Sequence, residues 1–295
     1  MFTDGMGLML SQAVLSGLLI GAVYSLMALG LTLTFGVMHV INIAHGAMLM
    51  LGAYTSFWLF HLLGLNPILS IVFSAPAMFA LGALLEKCII ERIVENIETT
   101  SLLVTFGISV CIVNLALWLW TADFKAIPYL TGSWLAGGLV FPKSRMVGAG
   151  LALLFTVIVF FFLRISRLGK AIRATAGDHD LASTCGINVR RIYLITFGLA
   201  SAMGAAAGAL ASIMFAIYPE MGETYLMRSF TVIVLGGMGS VLGAMVGGIL
   251  LGVIEGVGSL YLSGEGGGAI HYIILLLVLL LRPAGLSGSF GQHSD

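Results

Sequence analysis

The chain alternates long apolar stretches with short polar segments. Because an α-helix rises about 1.5 Å per residue, about 20 mostly apolar residues are needed to cross the hydrocarbon core of a membrane. The stretches that meet this requirement are residues 10–36, 46–65, 67–90, 101–122, 147–164, 194–217, 229–258 and 268–282. These eight stretches leave no segment long enough for a separate soluble domain. The pattern predicts an all-α polytopic membrane protein, with one domain over residues 1–295 and two pseudo-repeated halves at about 8–122 and 147–283.

Two apolar regions are too long for one helix, and both are interrupted. Residues 10–50 contain the polar segment HVINIAHG at 39–46, and residues 229–258 contain the glycine run at 234–248. Glycine costs about 1 kcal/mol relative to alanine inside a helix. Interruptions in corresponding positions of two halves are typical of broken helices beside a substrate path. Close packing of helices through small residues is the alternative explanation. One hidden short span in each half would give ten crossings instead of eight.

Composition supports a place in the bilayer. Of the 295 residues, 59% are hydrophobic and 9% are charged, whereas soluble domains are roughly 45–50% apolar and about 25% charged. So few charges cannot cover the surface of a soluble protein of this size. The net charge is zero and no basic face is present, which argues against nucleic-acid binding. A soluble enzyme is excluded, and the mean hydropathy of +1.09 agrees.

The sequence shows neither a metal or redox site nor a cleavable signal. Cys88, Cys111 and Cys185 are scattered, without the C-x-x-C spacing of a metal or redox pair. No Lys or Arg precedes the first apolar run, although a secretory signal peptide needs a positive leading region. The first stretch is therefore predicted to stay in the membrane as a span.

Basic residues predict the orientation of the bundle. Six of the thirteen Lys and Arg residues lie in the loop 164–193, and loops rich in Lys and Arg face the cytoplasm. The loop 86–100 then also faces inward, while 123–146 faces outward despite its three basic residues. Eight crossings place both termini outside, and ten place both inside.

The loop 164–193 is predicted to contain a short helix outside the membrane. Asp178 and Asp180 are suited to cap its start, and Gly186 to end it. Such a helix has no core to pack on unless a partner supplies one. Docking of a partner and a simple loop on the membrane surface remain open alternatives at this point.

Four separated motifs resemble one family, in that family's order. In the loop, Arg173-Ala174 is followed by Asp178, Ala182 and Gly186-Ile187, a pattern similar to the ATPase-contacting loop of permeases in bacterial ABC importers. The other three motifs resemble the H-type permeases of branched-chain amino acid (leucine/isoleucine/valine) importers. They are GLLIGAVYSLMALGLTLTFGVMHVINIAHGAMLMLGAY, FTVIVLGGMGSVLGAMVGGILLGVIEG and LLLVLLLRPAGL.

This resemblance implies a multi-pass subunit of the bacterial inner membrane that forms half of a pore. The implied partners are a second permease of the M type, two cytoplasmic ATPases and a periplasmic substrate-binding protein. The chain itself has no G-x-x-x-x-G-K-[ST] phosphate loop. It is therefore expected to be no enzyme and to need no cofactor, with ATP hydrolysed by the partners. The residues implied to couple to the ATPases are Arg173, Ala174, Asp178, Ala182, Gly186 and Ile187.

Polar groups and glycines in the two interrupted regions are candidates for the substrate path. Polar side chains at membrane depth are costly unless they face protein or water. The candidates are Asn42, His45, Gly46, Gly236, Gly237, Gly239 and Glu255. Structural alternatives are a helix cap for Asn42, a hydrogen bond to a backbone carbonyl for His45, and an interfacial position for Glu255. Related permeases often carry glutamate after the AHG triplet, where this chain has Ala47; if that glutamate assists substrate binding or gating in the relatives, another residue must do so here.

The leading prediction is a permease that imports branched-chain amino acids by alternating access. Within the same family, urea, short amides or aromatic acids are alternative substrates. An ion-coupled secondary transporter would need an intramembrane relay, and only Glu255 is a plausible member. A channel is disfavoured, because the sequence has no filter motif or repeated charged ring.

Overall fold

The computed structural model describes residues 2–93, 97–262, 266–282 and 285–286. Nearly all of its regular structure is helical, apart from a short 3-10 turn at Ile90–Arg92 and one hairpin. The helices are α1 (Phe2–Met38), α2 (Ala44–Leu63), α3 (Ile71–Cys88), α4 (Ile97–Trp120), α5 (Lys143–Ile165), α6 (Arg167–Gly177), α7 (His179–Thr184), α8 (Val189–Ala211), α9 (Met221–Gly236), α10 (Val241–Tyr261) and α11 (Gly266–Leu281).

Seven of these helices, α1 to α5, α8 and α10, are long and apolar enough to cross a membrane. The two shorter helices α9 and α11 have 16 residues each, and α11 contains the apolar segment Ala269–Leu281. The polytopic helical fold predicted from hydropathy is therefore confirmed. The stretch 229–258, taken from hydropathy as one overlong span, is the end of α9 and most of α10, separated by a break at residues 237–240. Within the described ranges, nine helices of 16 residues or more replace the eight predicted stretches.

A β-hairpin between α4 and α5 departs from the all-α prediction. Its strands, β1 (Ser133–Ala136) and β2 (Leu139–Pro142), pair antiparallel. Gly137 and Gly138 join them with φ of 59° and 80°, and a two-residue hairpin turn with both φ positive favours glycine. Gln12 on α1 holds the hairpin in place: its Nε2 donates to the Val140 carbonyl (2.9 Å), and the Val140 N–H donates to its Oε1 (2.8 Å).

Helices α1 and α10 pack antiparallel along a seam of small residues. A Cβ atom on Gly21 would lie 2.8 Å from the Gly248 carbonyl oxygen, closer than real Cβ atoms come. Gly17 meets the Gly252 backbone in the same way one turn earlier. Backbones approach this closely only where side chains are absent. Packing therefore explains the second half of the glycine run.

Buried side chains concentrate on α1, α2 and α8, while α4 is the least buried of the long helices. Gly208 on α8 fits against the backbone of α2 at Leu49 and Ala53. The outer helices α4 and α11 expose large apolar side chains such as Phe106, Trp118 and Leu280. Exposed apolar surface on this scale is stable in lipid and not in water.

Candidate functional site

One carboxylate links four helices in the interior of the bundle. Glu255 on α10 faces Arg228 on α9, with Arg228 Nε 3.2 Å from Glu255 Oε1. The Tyr24 hydroxyl on α1 donates to Glu255 Oε2 at 2.8 Å. His271 on α11 brings Nδ1 to 3.4 Å from Oε1. These four residues are called the charge cluster below.

The charge cluster is shielded from solvent. The side chains of Arg228, Glu255 and His271 are 18%, 14% and 4% exposed. The Arg228 guanidinium also lies over two aromatic rings, 5.7 Å from the Tyr24 centroid and 5.6 Å from that of Tyr225. Desolvated charges are stable only when they are paired and hydrogen-bonded. Here the Tyr24 hydroxyl and the Arg228 guanidinium bind the Glu255 carboxylate. The rings of Tyr24 and Tyr225 in turn contact the guanidinium.

The charge cluster borders the base of a cavity of about 690 Å³ between α1, α10 and the hairpin. Tyr24, Arg228 and Glu255 line it together with apolar walls and a few hydroxyl and amide groups. The remaining lining residues are Leu8, Met9, Gln12, Ala13, Ser16, Ile20, Gly138, Val140, Arg145, Phe215, Gly252, Gly256, Ser259 and Leu260. A cavity with one acidic group, two basic groups and apolar walls can recognise a small molecule that carries both charges and an apolar body.

Sequence reasoning identified Glu255 but missed its partners. It found no basic residue within the same span, which is correct, since Arg228 and His271 come from neighbouring helices. The Glu255 carboxylate is paired with residues of neighbouring helices, and its depth in the membrane stays a prediction. One feature of the sequence could have predicted the pair. Arg228 and Glu255 are isolated opposite charges in neighbouring apolar segments, and such charges at membrane depth usually pair.

The first break, at residues 39–43, is held by Thr105 on α4. Its Oγ1 accepts a hydrogen bond from the Ile43 N–H at 3.1 Å and donates to the Ile41 carbonyl at 3.0 Å. Asn42 is buried, and its side chain does not cap α2. The capping alternative is therefore wrong. Both amide atoms of Asn42 lack a hydrogen-bond partner among the described residues.

His45 and Gly46 lie where α2 packs against α1, α8 and α9. His45 Nε2 lies 2.9 Å from the Met27 carbonyl oxygen, which accepts its proton. A Cβ on Gly204 of α8 would lie 2.9 Å from the His45 ring, so the ring depends on glycine there. Gly46 packs directly on Gly222 of α9. The carbonyl-bonded alternative for His45 is what the structure contains.

The second break adjoins the first. Gly237 and Gly239 adopt φ of 102° and 81°, which L side chains rarely adopt. The Ser240 side chain then caps α10 by accepting from the Gly243 N–H at 3.0 Å. A Cβ on Gly36, near the end of α1, would lie 2.9 Å from Gly239 Cα. The second break thus packs against the last turn of α1, just before the first break.

The predicted path residues therefore fall into two groups. Of the seven, Glu255 lines the large cavity, whereas Asn42, His45, Gly46 and the glycines of the second break do not. Gly236 packs on the Gly243 backbone. Gly36 follows Tyr24 by twelve residues, so the breaks lie about 18 Å from the charge cluster along α1. A role for the residues of the breaks in the path stays a prediction.

The loop 164–193 forms two short helices, α6 and α7. Asp178 caps α7 as predicted, since its Oδ1 accepts from the N–H groups of Asp180 (2.8 Å) and Leu181 (2.9 Å). Asp180 lies in the first turn of α7 and not at its cap. Gly186 follows α7 with φ of 84°, as expected for a residue that ends a helix.

Four of the six predicted coupling residues are exposed: Arg173, Ala174, Asp178 and Gly186. Ala182 is buried and Ile187 is half-buried. The Ile187 N–H donates to the Ala182 carbonyl at 3.1 Å, so these two residues stabilise the turn that follows α7. The exposed four, called the coupling surface below, are free to meet a partner.

Comparisons with known proteins agree on one family. The family model described as "Branched-chain amino acid transport system / permease component" matches residues 13–281. The chain is 33% identical to the high-affinity branched-chain amino acid transport system permease protein LivH of Salmonella typhimurium, covering 94% of this chain and 95% of the relative. It is 33% identical to BraD of Pseudomonas aeruginosa, a permease protein with the same description, with the same coverage. A probable LivH of Methanocaldococcus jannaschii is 27% identical over 89% of this chain and 88% of its own. No solved structure matches the chain.

Proposed function

The chain belongs to the family of branched-chain amino acid transport permeases, and we propose that it carries branched-chain amino acids across the bacterial inner membrane by alternating access. The observation that supports this substrate is the cavity above the charge cluster. A zwitterion needs an acceptor for its ammonium and a donor for its carboxylate, and Glu255 and Arg228 supply one of each.

The walls of the cavity fit the rest of such a substrate. Leu8, Ile20 and Phe215 present apolar surface to it, which suits an aliphatic side chain. Binding sites typically combine apolar walls with a few placed polar groups. Urea and simple amides carry no opposite charges, so the paired ions favour amino acids over these alternatives.

The energy for transport comes from partner subunits in this proposal. The sequence has no G-x-x-x-x-G-K-[ST] motif, so two cytoplasmic ATPases hydrolyse ATP and need a mechanical link. The coupling surface on α6 and α7 is suited to that role. A second permease of the M type completes the pore, a periplasmic binding protein delivers the substrate, and this chain carries no cofactor.

In this proposal each of the nine helices of 16 residues or more in the described ranges crosses the membrane once, which gives an odd number of crossings. The backbone of Lys125, after α4, pairs with that of Ile217, after α8 (2.8 Å), so both connections lie on one side of the bundle. With the loop 164–193 in the cytoplasm, that side is external, the amino terminus is outside and the carboxyl end of α11 is inside. In this proposal the two termini lie on opposite sides, in contrast to the expectations for eight and ten crossings.

Reconstitution tests the proposed function. Vesicles that hold this chain with the M-type permease, both ATPases and the binding protein should accumulate radiolabelled leucine when ATP is supplied. Collapse of proton and sodium gradients should leave uptake unchanged, and unlabelled valine should compete where urea and benzoate do not. Gradient-driven uptake by the chain alone would instead identify a secondary transporter.

A substitution at Gly186 tests the coupling surface. A left-handed conformation costs an ordinary residue about 1–2 kcal/mol, so Gly186→Leu should misplace α7 and reduce ATP-driven uptake at least tenfold. Co-purification measures ATPase association, which should fall as well, while the amount of permease in the membrane stays constant. Gly186→Asn is the matched control, since asparagine tolerates this conformation. Equal uptake by both variants and the unmodified chain would contradict the coupling role.

A further inference from the structure

A second cavity lies at the other end of the bundle, beside the loop 164–193, which is called the coupling segment below. It has a volume of about 190 Å³ and is formed where α3, the 3-10 turn and the start of α8 meet the end of α1. Because its lining includes Arg190, it opens on the same side as the loop 164–193. It shares no lining residue with the cavity above the charge cluster.

The most unusual group in this cavity is Glu86. Its side chain is 2% exposed, and its Oε2 has no hydrogen-bond partner among the described residues. An unpaired carboxylate oxygen in the interior is costly. A ligand can supply the missing partner, and a carboxylate oxygen favours a positively charged donor.

A cationic group faces the same cavity. Arg190 Nη1 lies 3.5 Å from Glu91 Oε1, and the Arg190 side chain is 85% exposed. One guanidinium carries five N–H donors, so Arg190 can hold Glu91 and still bind a second carboxylate. The cavity therefore contains an unsatisfied acceptor and a donor with spare capacity.

Most of the remaining wall is aliphatic, although Ser101 and Tyr193 also line the cavity. Met38, Val40, Ile90 and Ile93 line the cavity between the two charged groups. The small volume admits only a small molecule, well below the 300–1,000 Å³ typical of drug-sized pockets. An ammonium for Glu86, a carboxylate for Arg190 and an aliphatic body together describe a small apolar amino acid.

We propose that this cavity is a product-sensing site, at which a branched-chain amino acid on the cytoplasmic side binds between Glu86 and Arg190 and slows further import. The proposal rests on the function assigned above, since it takes the cargo as its ligand. Bound product joins α3 to the first turn of α8. Because α8 directly follows the coupling segment, this bridge restrains the movement that the ATPases drive.

The test uses the complete transporter in vesicles, with leucine preloaded on the side of the coupling segment. Preloading about 1 mM leucine, roughly a thousandfold above a dissociation constant of about 1 μM, should lower the initial rate of ATP-driven uptake at least threefold. In Glu86→Gln the preloaded leucine should have no effect, and the rate without preloading should equal that of the unmodified transporter. Arg190→Gln, at an exposed position where folding is not at stake, should lose the inhibition too.

Controls separate this inference from the proposed function. Glu91→Gln removes the resting ion pair but neither ligand contact, so it should keep the inhibition. Preloaded 4-methylpentanoate, which lacks the ammonium, and isoamylamine, which lacks the carboxylate, should not inhibit.

Absence of ATP-driven uptake altogether would reject the proposed function. Normal uptake that preloaded leucine does not slow, or inhibition that persists in both Glu86→Gln and Arg190→Gln, would reject the sensing site alone.

Discussion

Replacing Glu255 with leucine is expected to abolish leucine uptake and to destabilise the folded permease by about 3–5 kcal/mol, the usual cost of removing one partner of a buried ion pair. The substitution leaves the Arg228 guanidinium, 18% exposed, without its carboxylate. It also removes the acceptor of the Tyr24 hydroxyl. Thermal unfolding of the purified protein in detergent measures the first effect, and ATP-driven uptake in vesicles measures the second.

A double variant distinguishes stability from transport. Glu255→Leu combined with Arg228→Met removes both charges, so no unpaired ion remains and much of the stability should return. Uptake should stay absent, because the cavity then offers a zwitterion neither of its charged contacts. Glu223→Gln, at an exposed carboxylate on α9, is the control for loss of a negative charge and should unfold like the unmodified chain. A double variant that is stable and also transports normally would reduce the charge cluster to a structural role.

The sequence was sufficient for features that depend on local spacing. Apolar stretches predict the helices, and the polar segment at 39–46 predicts the first break. Asp178 and Gly186 predict the limits of α7, because caps and helix ends follow from neighbouring residues alone. The glycine pair at 137–138 is equally local and favours a tight turn, so a surface hairpin was one of the alternatives that the sequence left open for the external segment.

The charge cluster could not be predicted in the same way. Glu255 and Arg228 are separated by 27 positions, and Tyr24 is separated from Glu255 by 231. Which helices become neighbours depends on packing, and small residues decide it here: Gly17 and Gly21 let α1 reach α10. The seam of glycines therefore brings Tyr24 to Glu255. Local sequence patterns alone cannot predict which helices become neighbours.

The glycine run illustrates how one motif can serve two purposes. Its first part, around Gly237 and Gly239, supplies the left-handed backbone that separates α9 from α10. Gly248 at its end, together with Gly252 one turn further along α10, supplies the flat surface that meets α1. Both explanations considered for the run are needed, each for its own part. Spacing alone could not divide it, because both uses require only that a side chain be absent.

Gly252→Leu should prevent normal assembly of the bundle, because the site has no room for any side chain. A Cβ there would collide with the Gly17 carbonyl oxygen and with the backbone of Gly21, and backbone atoms cannot rotate away as side chains do. Overpacking a well-fitted core usually costs about 1–3 kcal/mol, and a rigid obstacle of this kind belongs at the upper end. We expect little folded protein by size-exclusion chromatography and a clearly lower unfolding temperature for any that remains.

The matched control is Gly150→Leu on α5. Gly150 is also a helical glycine, but it is exposed and a Cβ there meets nothing within 4 Å. The same substitution should therefore leave the yield and unfolding temperature unchanged, or raise stability slightly, since leucine is a better helix former than glycine. The comparison isolates helix packing from helix propensity, because both variants change propensity equally. If Gly252→Leu folded as well as Gly150→Leu, α1 and α10 could not lie in contact, and Tyr24 would then have no route to Glu255.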